Sequence, residues 1–402
     1  MKFAIIREQK IPSDSRVVLT PAQCADLINN QGLDIVVQSS DVRSYTDDEY
    51  RAANVPVVDD VNDCDVMIGV KEVPIDALIA DKTYFFFSHT IKEQPYNRKL
   101  LKAVIDRNIR LIDYEVITGD AGNRLIAFGV FAGMVGAHNG IWTYGQRTGQ
   151  FLLPRLHTLK GYAEAVDIYK QTELPPIRIV LTGTGRVSTG AARVLDDMGI
   201  QKVSPFDYVK GVGDGPVYTQ LSSFFYARRK DGRVFDSVQD FYDNPTDYKS
   251  DFHHVIPCTD IMINGIYWDN DAPAFFTQEQ MQQDDWNISV IADVTCDIAP
   301  VSSIPSTLKA STIPDPIFGY DPQSGEEVAP HGDGIIDMMT IDNLPNELPR
   351  DASEAFGQMF VEHVLPELQQ DSSPLLERAT IAQDGKLTSY FDYLQGYLAG
   401  AE

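Results

Sequence analysis

Two basic side chains follow apolar runs in the first quarter of the chain. Lys71 stands in GVKEVP directly after the run 65–70, and His89 stands in FFFSHTIKEQ one residue after the run 84–87. Side chains at the carboxyl ends of parallel strands line the ligand crevice of an α/β sheet. Burial there favours a neutral amine, so Lys71 is a candidate general base, and His89 is a candidate acid–base group. From spacing alone, a solvated lysine and a structural histidine are the alternatives.

Arg16, in DSRVVLTP, and Arg124, in NRLIAFG, are isolated cations in a strongly acidic chain whose formal net charge is −25. Guanidinium groups suit bidentate carboxylate binding, so both arginines are candidates for holding an acidic substrate. A structural ion pair with one of the 58 acidic residues is an equally open alternative. The acidic field repels phosphate backbones, which argues against a nucleic-acid partner.

The segment IRIVLTGTGRVSTGAARVLDDMG predicts a strand, a glycine turn and a helix. Gly183 and Gly185 would let a dinucleotide pyrophosphate approach the N–H groups at the helix N-terminus. Ser188 stands at the third position of the fingerprint, so the pattern is imperfect. Asp207 is predicted to end the next strand, where a carboxylate accepts hydrogen bonds from the adenosine ribose. An ordinary βα turn is the alternative.

The elements that position these side chains alternate between strands and helices, which predicts mostly parallel sheets. Thr20 and Pro21 predict the start of a first helix that Gly32 ends, and a capping box at Thr46 opens a second. Small residues recur at three- and four-residue spacing over 128–140, which predicts a closely packed helix between domains or subunits. We predict an α/β fold with two Rossmann-like, doubly wound domains and a deep cleft between them.

The later part of the chain continues the same alternation. Apolar runs at 177–182, 260–267 and 288–294 predict strands. The charged and aromatic stretch 217–254 is interpreted as a surface excursion, and 314–334, rich in Pro, Gly and Asp, as a loop. A helix is predicted over 352–368.

The composition excludes several classes of protein. The four cysteines are far apart and form no CxxC pair, so neither a metal site nor a disulfide framework is expected. No run of eighteen apolar residues occurs, and the first residues lack the pattern of a secretory leader. We therefore expect a cytoplasmic protein with no membrane partner.

Several segments in collinear order resemble one family. DSRVVLTP, GVKEVP, FFFSHTIKEQ, RLIDYE and RLIAFG are similar to N-terminal segments shared by alanine dehydrogenases, the NAD-binding component of transhydrogenase and lysine-forming saccharopine dehydrogenases. The segments LTGTGRVSTGA, FYDNPTDY, INGIYWDN, ADVTCD and IDNLPNELPRDASEAFG most resemble the lysine-ketoglutarate reductase domain. That domain is the lysine-forming saccharopine dehydrogenase half of the bifunctional lysine-degradation enzyme. The resemblance runs from about residue 3 to residue 368.

The resemblance implies a substrate domain built from both chain ends, 1–138 plus 336–402, and a dinucleotide domain, 139–335, with an insertion at about 212–256. It implies an NAD(P)-dependent oxidoreductase that acts on the CH–NH group of saccharopine and yields lysine and 2-oxoglutarate. Lys71 then matches the base that deprotonates the secondary amine, and His89 matches the acid–base group of the imine and carbinolamine steps. Glu72 and Glu115 are near enough in these motifs to tune them, with a surface role as the alternative.

The resemblance also implies the contacts of each ligand. The positions that match substrate contacts are Arg16, Gln94, Arg124 and Phe128. The positions that match cofactor contacts are Gly183, Gly185, Arg186, Asp207, Tyr267, Val294, Ile341, Asp342, Asn343 and Leu344.

The sequence leaves alternatives for the coenzyme, the function and the oligomeric state. The Asp207 carboxylate favours NAD, whereas Arg186 can accommodate NADP, which lysine-degrading relatives tend to use; we favour NAD. An alanine dehydrogenase-like enzyme with another substrate and a nicotinamide-binding protein without turnover are the alternative functions. The chain is expected to perform one half-reaction alone, as a monomer or a homodimer.

Overall fold

The computed structural model describes residues 1–400, which divide into two compact units. The first unit contains Met1–Phe128 and the chain from Pro349 onward, and the second contains Gly129–Leu348. The domain boundaries expected from the sequence differ from these. The expected boundary after residue 138 falls inside the helix Gly129–Thr148, and the expected boundary after residue 335 falls directly before the strand Ile336–Met339.

The N-terminal segment of the first unit alternates strands and helices. Its strands are β1 (Lys2–Ile5), β2 (Asp34–Gln38), β3 (Val57–Val58), β4 (Val66–Ile68), β5 (Thr83–Phe86) and β6 (Arg110–Asp113). Its helices are α1 (Pro21–Gln31), α2 (Asp47–Ala52) and α3 (Arg98–Asp106).

The predicted start and end of α1 and the predicted start of α2 are confirmed. Thr20 accepts a hydrogen bond from the Gln23 backbone N–H, the Gln23 side chain returns one to the Thr20 backbone, and Gly32 ends the helix at φ 67°. Thr46 makes the same reciprocal pair with Glu49 at the start of α2. These caps satisfy N–H groups that a helix leaves without an internal partner.

The second unit contains seven α-helices and ten strands within the described residues. The helices are α4 (Gly129–Thr148), α5 (Tyr162–Tyr169), α6 (Arg186–Asp197), α7 (Pro205–Val209), α8 (Ser223–Tyr226), α9 (Val238–Asp243) and α10 (Gln278–Met281). The strands are β7 (Arg178–Thr182), β8 (Gln201–Lys202), β9 (Val217–Leu221), β10 (Ala227–Arg229), β11 (Tyr248–Ser250), β12 (Ile261–Asn264), β13 (Val290–Asp293), β14 (Ile317–Asp321), β15 (Glu326–Val328) and β16 (Ile336–Met339).

The eight-stranded sheet of this unit has the order β15-β14-β16-β13-β12-β7-β9-β8, with antiparallel pairing only at β14 and β15. Strands β10 and β11 form a separate antiparallel pair. Along β7, Ile179 and Leu181 belong to one buried cluster and Val180 to another. The sheet is therefore covered on both faces, as a doubly wound fold requires.

Three local predictions were wrong in this unit. Strand β9 lies inside the stretch interpreted as an excursion, and it pairs directly with β7 in the main sheet. Strands β14 and β15 form a hairpin inside the predicted loop. Asp207 does not end a strand: it lies exposed in the first turn of α7, where Ser204 caps its backbone N–H at 3.1 Å.

Small residues bring α4 and α6 together within the second unit. A Cβ atom on Gly133 would lie 1.7 Å from the Val187 carbonyl oxygen, and one on Gly190 would lie 1.9 Å from the Val130 carbonyl oxygen. Only glycine permits backbones to approach this closely. These small residues of α4 thus pack against their own unit. A contact between domains or subunits stays a prediction.

The chain then returns to the first unit. The returning elements are α11 (Pro349–Met359), a π-helical segment (Phe360–Val364), α12 (Leu365–Leu368), α13 (Pro374–Ala379), β17 (Thr380–Gln383), β18 (Lys386–Leu387) and α14 (Gln395–Ala399). The first sheet has the order β18-β17-β6-β5-β4-β1-β2-β3, and its six N-terminal strands are parallel. Strand β17 pairs antiparallel with β6.

The predicted α/β class with two mostly parallel sheets is confirmed, and so is the helix predicted over 352–368. The cleft between domains stays a prediction. Among residues 1–400, no helix is long and apolar enough to cross a bilayer.

Candidate active site and nucleotide site

One edge of the first sheet collects titratable side chains. Strands β1, β4, β5 and β6 are neighbours and run parallel, so their carboxyl ends meet at the same edge. Glu8 follows β1, Lys71 and Glu72 follow β4, His89 follows β5, and Glu115 follows β6. The predicted catalytic residues are therefore carried by two adjacent strands.

The backbone of Lys71 is held by a residue far away in the sequence. The Glu8 carboxylate accepts hydrogen bonds from the backbone N–H groups of Val70, at 2.6 Å, and Lys71, at 2.9 Å. Burial and the positive charges of Arg16 and Lys10 lower the pKa of the Lys71 amine to about 8. Within the described residues this amine makes no hydrogen bond. Lys71 is thus a largely desolvated amine that can take up a proton.

Glu8 has no sequence motif of its own and was not among the predicted site residues. Burial raises the pKa of its carboxyl to about 8, with the Asp14 charge acting in the same direction and its two backbone hydrogen bonds opposing. Its position just beyond β1, on the edge that carries Lys71, was the available signal.

His89 is paired with a carboxylate. Its Nδ1 lies 2.5 Å from Glu72 Oε1, and Lys10 Nζ lies 2.8 Å from Glu72 Oε2. Burial opposes ionisation of Glu72, but the hydrogen bond to His89 and the Lys10 ammonium hold its pKa at about 2. An ionised carboxylate only accepts hydrogen bonds, so Nδ1 carries the proton and Nε2 is available for chemistry.

The turn that carries His89 is fixed by Asp113, which is fully buried at the end of β6. Its carboxylate accepts hydrogen bonds from the Ser88 backbone N–H at 2.9 Å, the Ser88 Oγ at 2.5 Å and the Glu115 backbone N–H at 2.7 Å. His89 itself has φ 53°, in the left-handed region. Asp113, which sequence analysis also missed, therefore ties together the turns that present His89 and Glu115.

Arg16 lies in a buried aromatic setting. It is 2% exposed and binds Asp14 through Nε–Oδ1 at 3.0 Å and Nη2–Oδ2 at 2.5 Å. Its guanidinium carbon lies 4.2 Å from the ring centroid of Phe128, which stacks on Phe356 at 4.3 Å. Burial would raise the pKa of Asp14, but the charge and hydrogen bonds of Arg16 hold it well below its usual range. The structure thus places two of the predicted substrate residues, Arg16 and Phe128, in contact.

The other two predicted substrate residues lie beyond the strand ends. Arg124 Nη2 binds Glu115 Oε1 at 2.6 Å, and Lys92 Nζ lies 3.7 Å from the same oxygen. Burial opposes ionisation of Glu115, but these two cations, together with His89, lower its pKa. Gln94 follows the short helical turn after His89, and its carbonyl oxygen accepts a hydrogen bond from the Tyr397 hydroxyl at 2.6 Å.

In the second unit, the glycine turn has the geometry of a pyrophosphate site. Gly183 has φ 92°, and a Cβ there would lie 2.7 Å from Ser188 Oγ and 2.8 Å from the Gly265 carbonyl oxygen. Gly185 precedes the twelve-residue helix α6 without a side-chain cap, and a Cβ there would meet nothing within 4 Å. Open space and uncapped N–H groups at a helix start fit a bound phosphate.

Ser188 explains the departure from the glycine fingerprint. It is fully buried, and its hydroxyl lies 2.9 Å from the Thr182 carbonyl oxygen and 3.2 Å from that of Gly265. The third glycine of the fingerprint permits close helix–strand packing. Here a small hydroxyl packs at that position and binds the ends of β7 and β12.

Most of the predicted cofactor residues follow neighbouring strand ends. Arg186 begins α6 after β7, Tyr267 follows β12, Val294 follows β13, and Ile341, Asp342, Asn343 and Leu344 follow β16. Tyr267 is 75% exposed, whereas Ile341 and Leu344 are buried. Asp207 is the exception. It lies in α7, and the strand that pairs with β7 on the side opposite β12 is β9, which ends at Leu221.

A buried polar network that sequence analysis missed supports this edge. Asn264 accepts a hydrogen bond from Thr182 Oγ1 at 2.7 Å and donates to Asp293 Oδ1 at 2.9 Å. Asp293 Oδ2 accepts from Thr307 Oγ1 at 2.7 Å, and burial raises the pKa of Asp293. Asn264 and Asp293 end the strands β12 and β13, so the network fixes the strand ends that precede the predicted cofactor residues.

The N-terminal segment of the chain is similar to one known domain family. Residues 4–135 match the family model of the alanine dehydrogenase/PNT N-terminal domain. The superfamily resemblance seen in the sequence is confirmed for this alanine dehydrogenase/PNT N-terminal domain.

Curated relatives extend the similarity over nearly the whole chain. The chain is 31% identical to the mitochondrial alpha-aminoadipic semialdehyde synthase of Mus musculus, over 98% of this chain and 47% of the relative. It is 27% identical to the NAD(+), L-lysine-forming saccharopine dehydrogenase of Emericella nidulans, over 91% of each chain. The chain thus spans about half the length of the synthases, and it is homologous to both kinds of protein.

Solved structures share the fold. An L-alanine dehydrogenase aligns over 100% of both chains with a TM-score of 0.67 at 16% identity. The transhydrogenase of Sinorhizobium meliloti aligns over 96% of this chain and 100% of its own, with a TM-score of 0.61 at 14% identity. These likenesses confirm the α/β fold.

Proposed function

We propose that the protein is a nicotinamide-dependent oxidoreductase that interconverts saccharopine with lysine and 2-oxoglutarate. The observation that carries the proposal is the pairing, on adjacent strand ends, of a desolvated lysine with a carboxylate-bound histidine. The first unit would bind the substrate and the second the dinucleotide. The names of the fungal relatives support this substrate over pyruvate and ammonia.

Lys71 is the proposed base for the substrate's secondary amine. A pKa of about 8 leaves a useful fraction of the Lys71 amine neutral near neutral pH. A neutral Lys71 takes the proton from that amine, so the nitrogen lone pair can form an imine as hydride leaves the adjacent carbon. A bound nicotinamide dinucleotide supplies the hydride acceptor. The two backbone hydrogen bonds from Glu8 keep the Lys71 backbone in place.

His89 is the proposed acid–base group for hydrolysis of the imine. Its Nε2 accepts a proton from the water that adds to the imine carbon, and then gives it to the nitrogen of lysine. As the C–N bond breaks, Nε2 takes the remaining proton of the carbinolamine hydroxyl, which leaves the carbonyl of 2-oxoglutarate. Glu72 fixes the tautomer and stabilises the imidazolium that forms between the two steps.

Cationic side chains at this edge are the proposed partners of the substrate's carboxylates. Saccharopine carries three carboxylates. The guanidinium groups of Arg16 and Arg124 can bind them in place of, or beside, their present partners Asp14 and Glu115. We assign substrate contacts to Arg16, Gln94, Arg124 and Phe128. The Phe128 ring, stacked on Phe356, fixes the plane beneath the Arg16 guanidinium.

We propose that the glycine turn, Arg186 and the segments after β12, β13 and β16 hold the dinucleotide, and that the preferred form is NAD. The support for NAD is the name of the fungal relatives that the chain covers almost completely. Asp207, exposed on α7, no longer supports it by position. Fluorescence titration with NADH and NADPH tests the preference, and tighter binding of NADPH would contradict it.

The decisive experiment measures oxidation of NADH or NADPH by the purified chain with lysine and 2-oxoglutarate. The expected result is turnover that requires both substrates. Turnover with pyruvate and ammonia, but not with lysine and 2-oxoglutarate, would replace the proposal with an alanine dehydrogenase-like function. Coenzyme binding without turnover on either pair would indicate a binding protein. The expected cytoplasmic location and oligomeric state stay predictions.

A further inference from the structure

Two adjacent histidines and a carboxylate meet on the second unit, outside the residues assigned to the coenzyme. His253 and His254 lie in the short helical turn Phe252–His254, directly after Asp251. The Asp251 Oδ1 atom lies 3.7 Å from His253 Nδ1 and 3.7 Å from His254 Nε2. All three ligand atoms lie within 4.8 Å of one another. No metal site was expected from the sequence, because the four cysteines are far apart and form no CxxC pair.

The separations are close to those of a tetrahedral metal centre. Zinc binds histidine nitrogen and carboxylate oxygen at about 2.0–2.2 Å, so two ligand atoms at a tetrahedral angle are roughly 3.4 Å apart. Each histidine nitrogen lies 3.7 Å from the Asp251 oxygen. Both nitrogen–oxygen separations are therefore about 0.3 Å longer than in a tetrahedral centre. The half-exposed histidine rings have room to move closer to the oxygen and to each other.

The backbone that carries these three residues is anchored. Phe252, between the carboxylate and the histidines, is 1% exposed, and its ring lies 5.0 Å from that of Phe275. The Asp251 backbone N–H donates to the Tyr226 carbonyl at 2.8 Å. The Ser250 hydroxyl donates to the Phe275 carbonyl at 2.5 Å. The ligands are therefore held on the surface by a buried aromatic residue, which lowers the ordering cost of binding an ion.

The electrostatic setting favours a cation. Asp251 Oδ1 is buried and makes no hydrogen bond in the described part of the chain. Arg228 Nε lies 3.4 Å from it and is the competing cation, while the Asp285 carboxylate acts on His253 as a further negative charge.

We propose that Asp251, His253 and His254 bind a divalent transition-metal ion, with Zn²⁺ as the best chemical match and water in the fourth position. Two imidazoles and one carboxylate are ligands typical of zinc, whereas calcium and magnesium prefer oxygen-only sites. The acidic surface of the protein raises the local concentration of cations around this site.

The test is calorimetric titration of Zn²⁺ into the full chain after dialysis against a chelator. We expect the wild type to bind one equivalent and His253→Ala/His254→Ala to lose it. His363→Ala is the matched control, because His363 is another half-exposed histidine beside a carboxylate, and this variant should keep the equivalent. Far-UV circular dichroism verifies that all variants are folded.

Two outcomes would overturn the proposal: no zinc binding by the wild type, or unchanged binding by the double variant. A further variant tests the geometry without removing a ligand. Arg228→Gln removes the cation that competes for Asp251 and should bind Zn²⁺ more tightly. Weaker binding by Arg228→Gln would contradict the assignment of Asp251 as a ligand.

Discussion

The desolvated lysine should destabilise the folded protein that it serves. Lys71 has a pKa of about 8 in the folded state, against 10.5 for a lysine in water. At about 1.4 kcal/mol per pKa unit, the folded state disfavours the charged amine by about 3 kcal/mol. Below pH 8 both the folded and the unfolded protein carry the proton, so this cost is fully present. The cost fades as the pH rises from about 8 to about 10.5, because only the unfolded state then still binds the proton.

Lys71→Met removes the charge and keeps much of the side-chain volume. We expect the free energy of unfolding to increase by about 3 kcal/mol at pH 7 and by only about 1 kcal/mol at pH 9.5. Turnover with lysine and 2-oxoglutarate should fall about 10²–10⁴-fold, since general base catalysis contributes a factor of this size. Binding of NADH should not change.

Urea denaturation at pH 7 and pH 9.5, followed by circular dichroism, measures the difference between variant and wild type. Lys99→Met is the matched control, because Lys99 is exposed on α3, and its stability should not vary with pH relative to the wild type. A Lys71→Met variant that is less stable than the wild type at pH 7 would refute the argument that burial depresses this pKa. So would a stability gain that does not shrink as the pH rises.

Four further predictions concern the neighbouring groups, the glycine turn and the contact between α4 and α6. His89→Gln should lower turnover about 10²–10⁴-fold while the affinity for NADH, measured by fluorescence, is unchanged. Glu72→Gln removes a negative charge that raises the pKa of Lys71, so the acidic limb of the pH–rate profile should move to lower pH. Gly185→Ala should weaken NADH binding with little change in stability, because its Cβ meets no protein atom but enters the space expected for pyrophosphate. Gly133→Ala should instead destabilise the fold by more than about 1 kcal/mol, because its Cβ would lie 1.7 Å from a backbone carbonyl.

The first three of these predictions can each fail in a distinct way. Unchanged turnover in His89→Gln would remove His89 from the acid–base steps. A pH–rate limb that moves to higher pH in Glu72→Gln would mean that another group controls it. Wild-type NADH affinity in Gly185→Ala would argue against a pyrophosphate at the start of α6.

The sequence predicts those features that are decided locally. The caps of α1 need only Thr20, Gln23 and Gly32, which lie within one helix length, and the structure confirms them. The strand ends that carry Lys71 and His89 were predictable because each follows a short apolar run. Parallel pairing of β4 and β5 then brings the two residues to one edge of the sheet.

The features that the sequence did not predict depend on long-range contacts or on competing local signals. Glu8 binds backbone groups more than sixty residues away, and no local pattern marks such a partner. Strand β9, at Val217–Leu221, adjoins a charged segment, and its place beside β7 follows from pairing that the chain does not reveal locally. Around Asp207 two local signals compete. The spacing from the glycine turn favours a strand that ends in a ribose-binding carboxylate, whereas Ser204 and Pro205 favour a helix start, and the structure has the helix.

The return of the chain into the first sheet has a consequence for the order of folding. Strand β6 forms an unpaired edge of its sheet until the ribosome has synthesised β17. The whole of the second unit is synthesised after β6 and before β17. At about 5–20 residues per second, that wait lasts on the order of tens of seconds. Unpaired strand edges readily join other chains. During each round of synthesis, the second unit can therefore finish folding while the half that carries Lys71 and His89 still needs protection from aggregation.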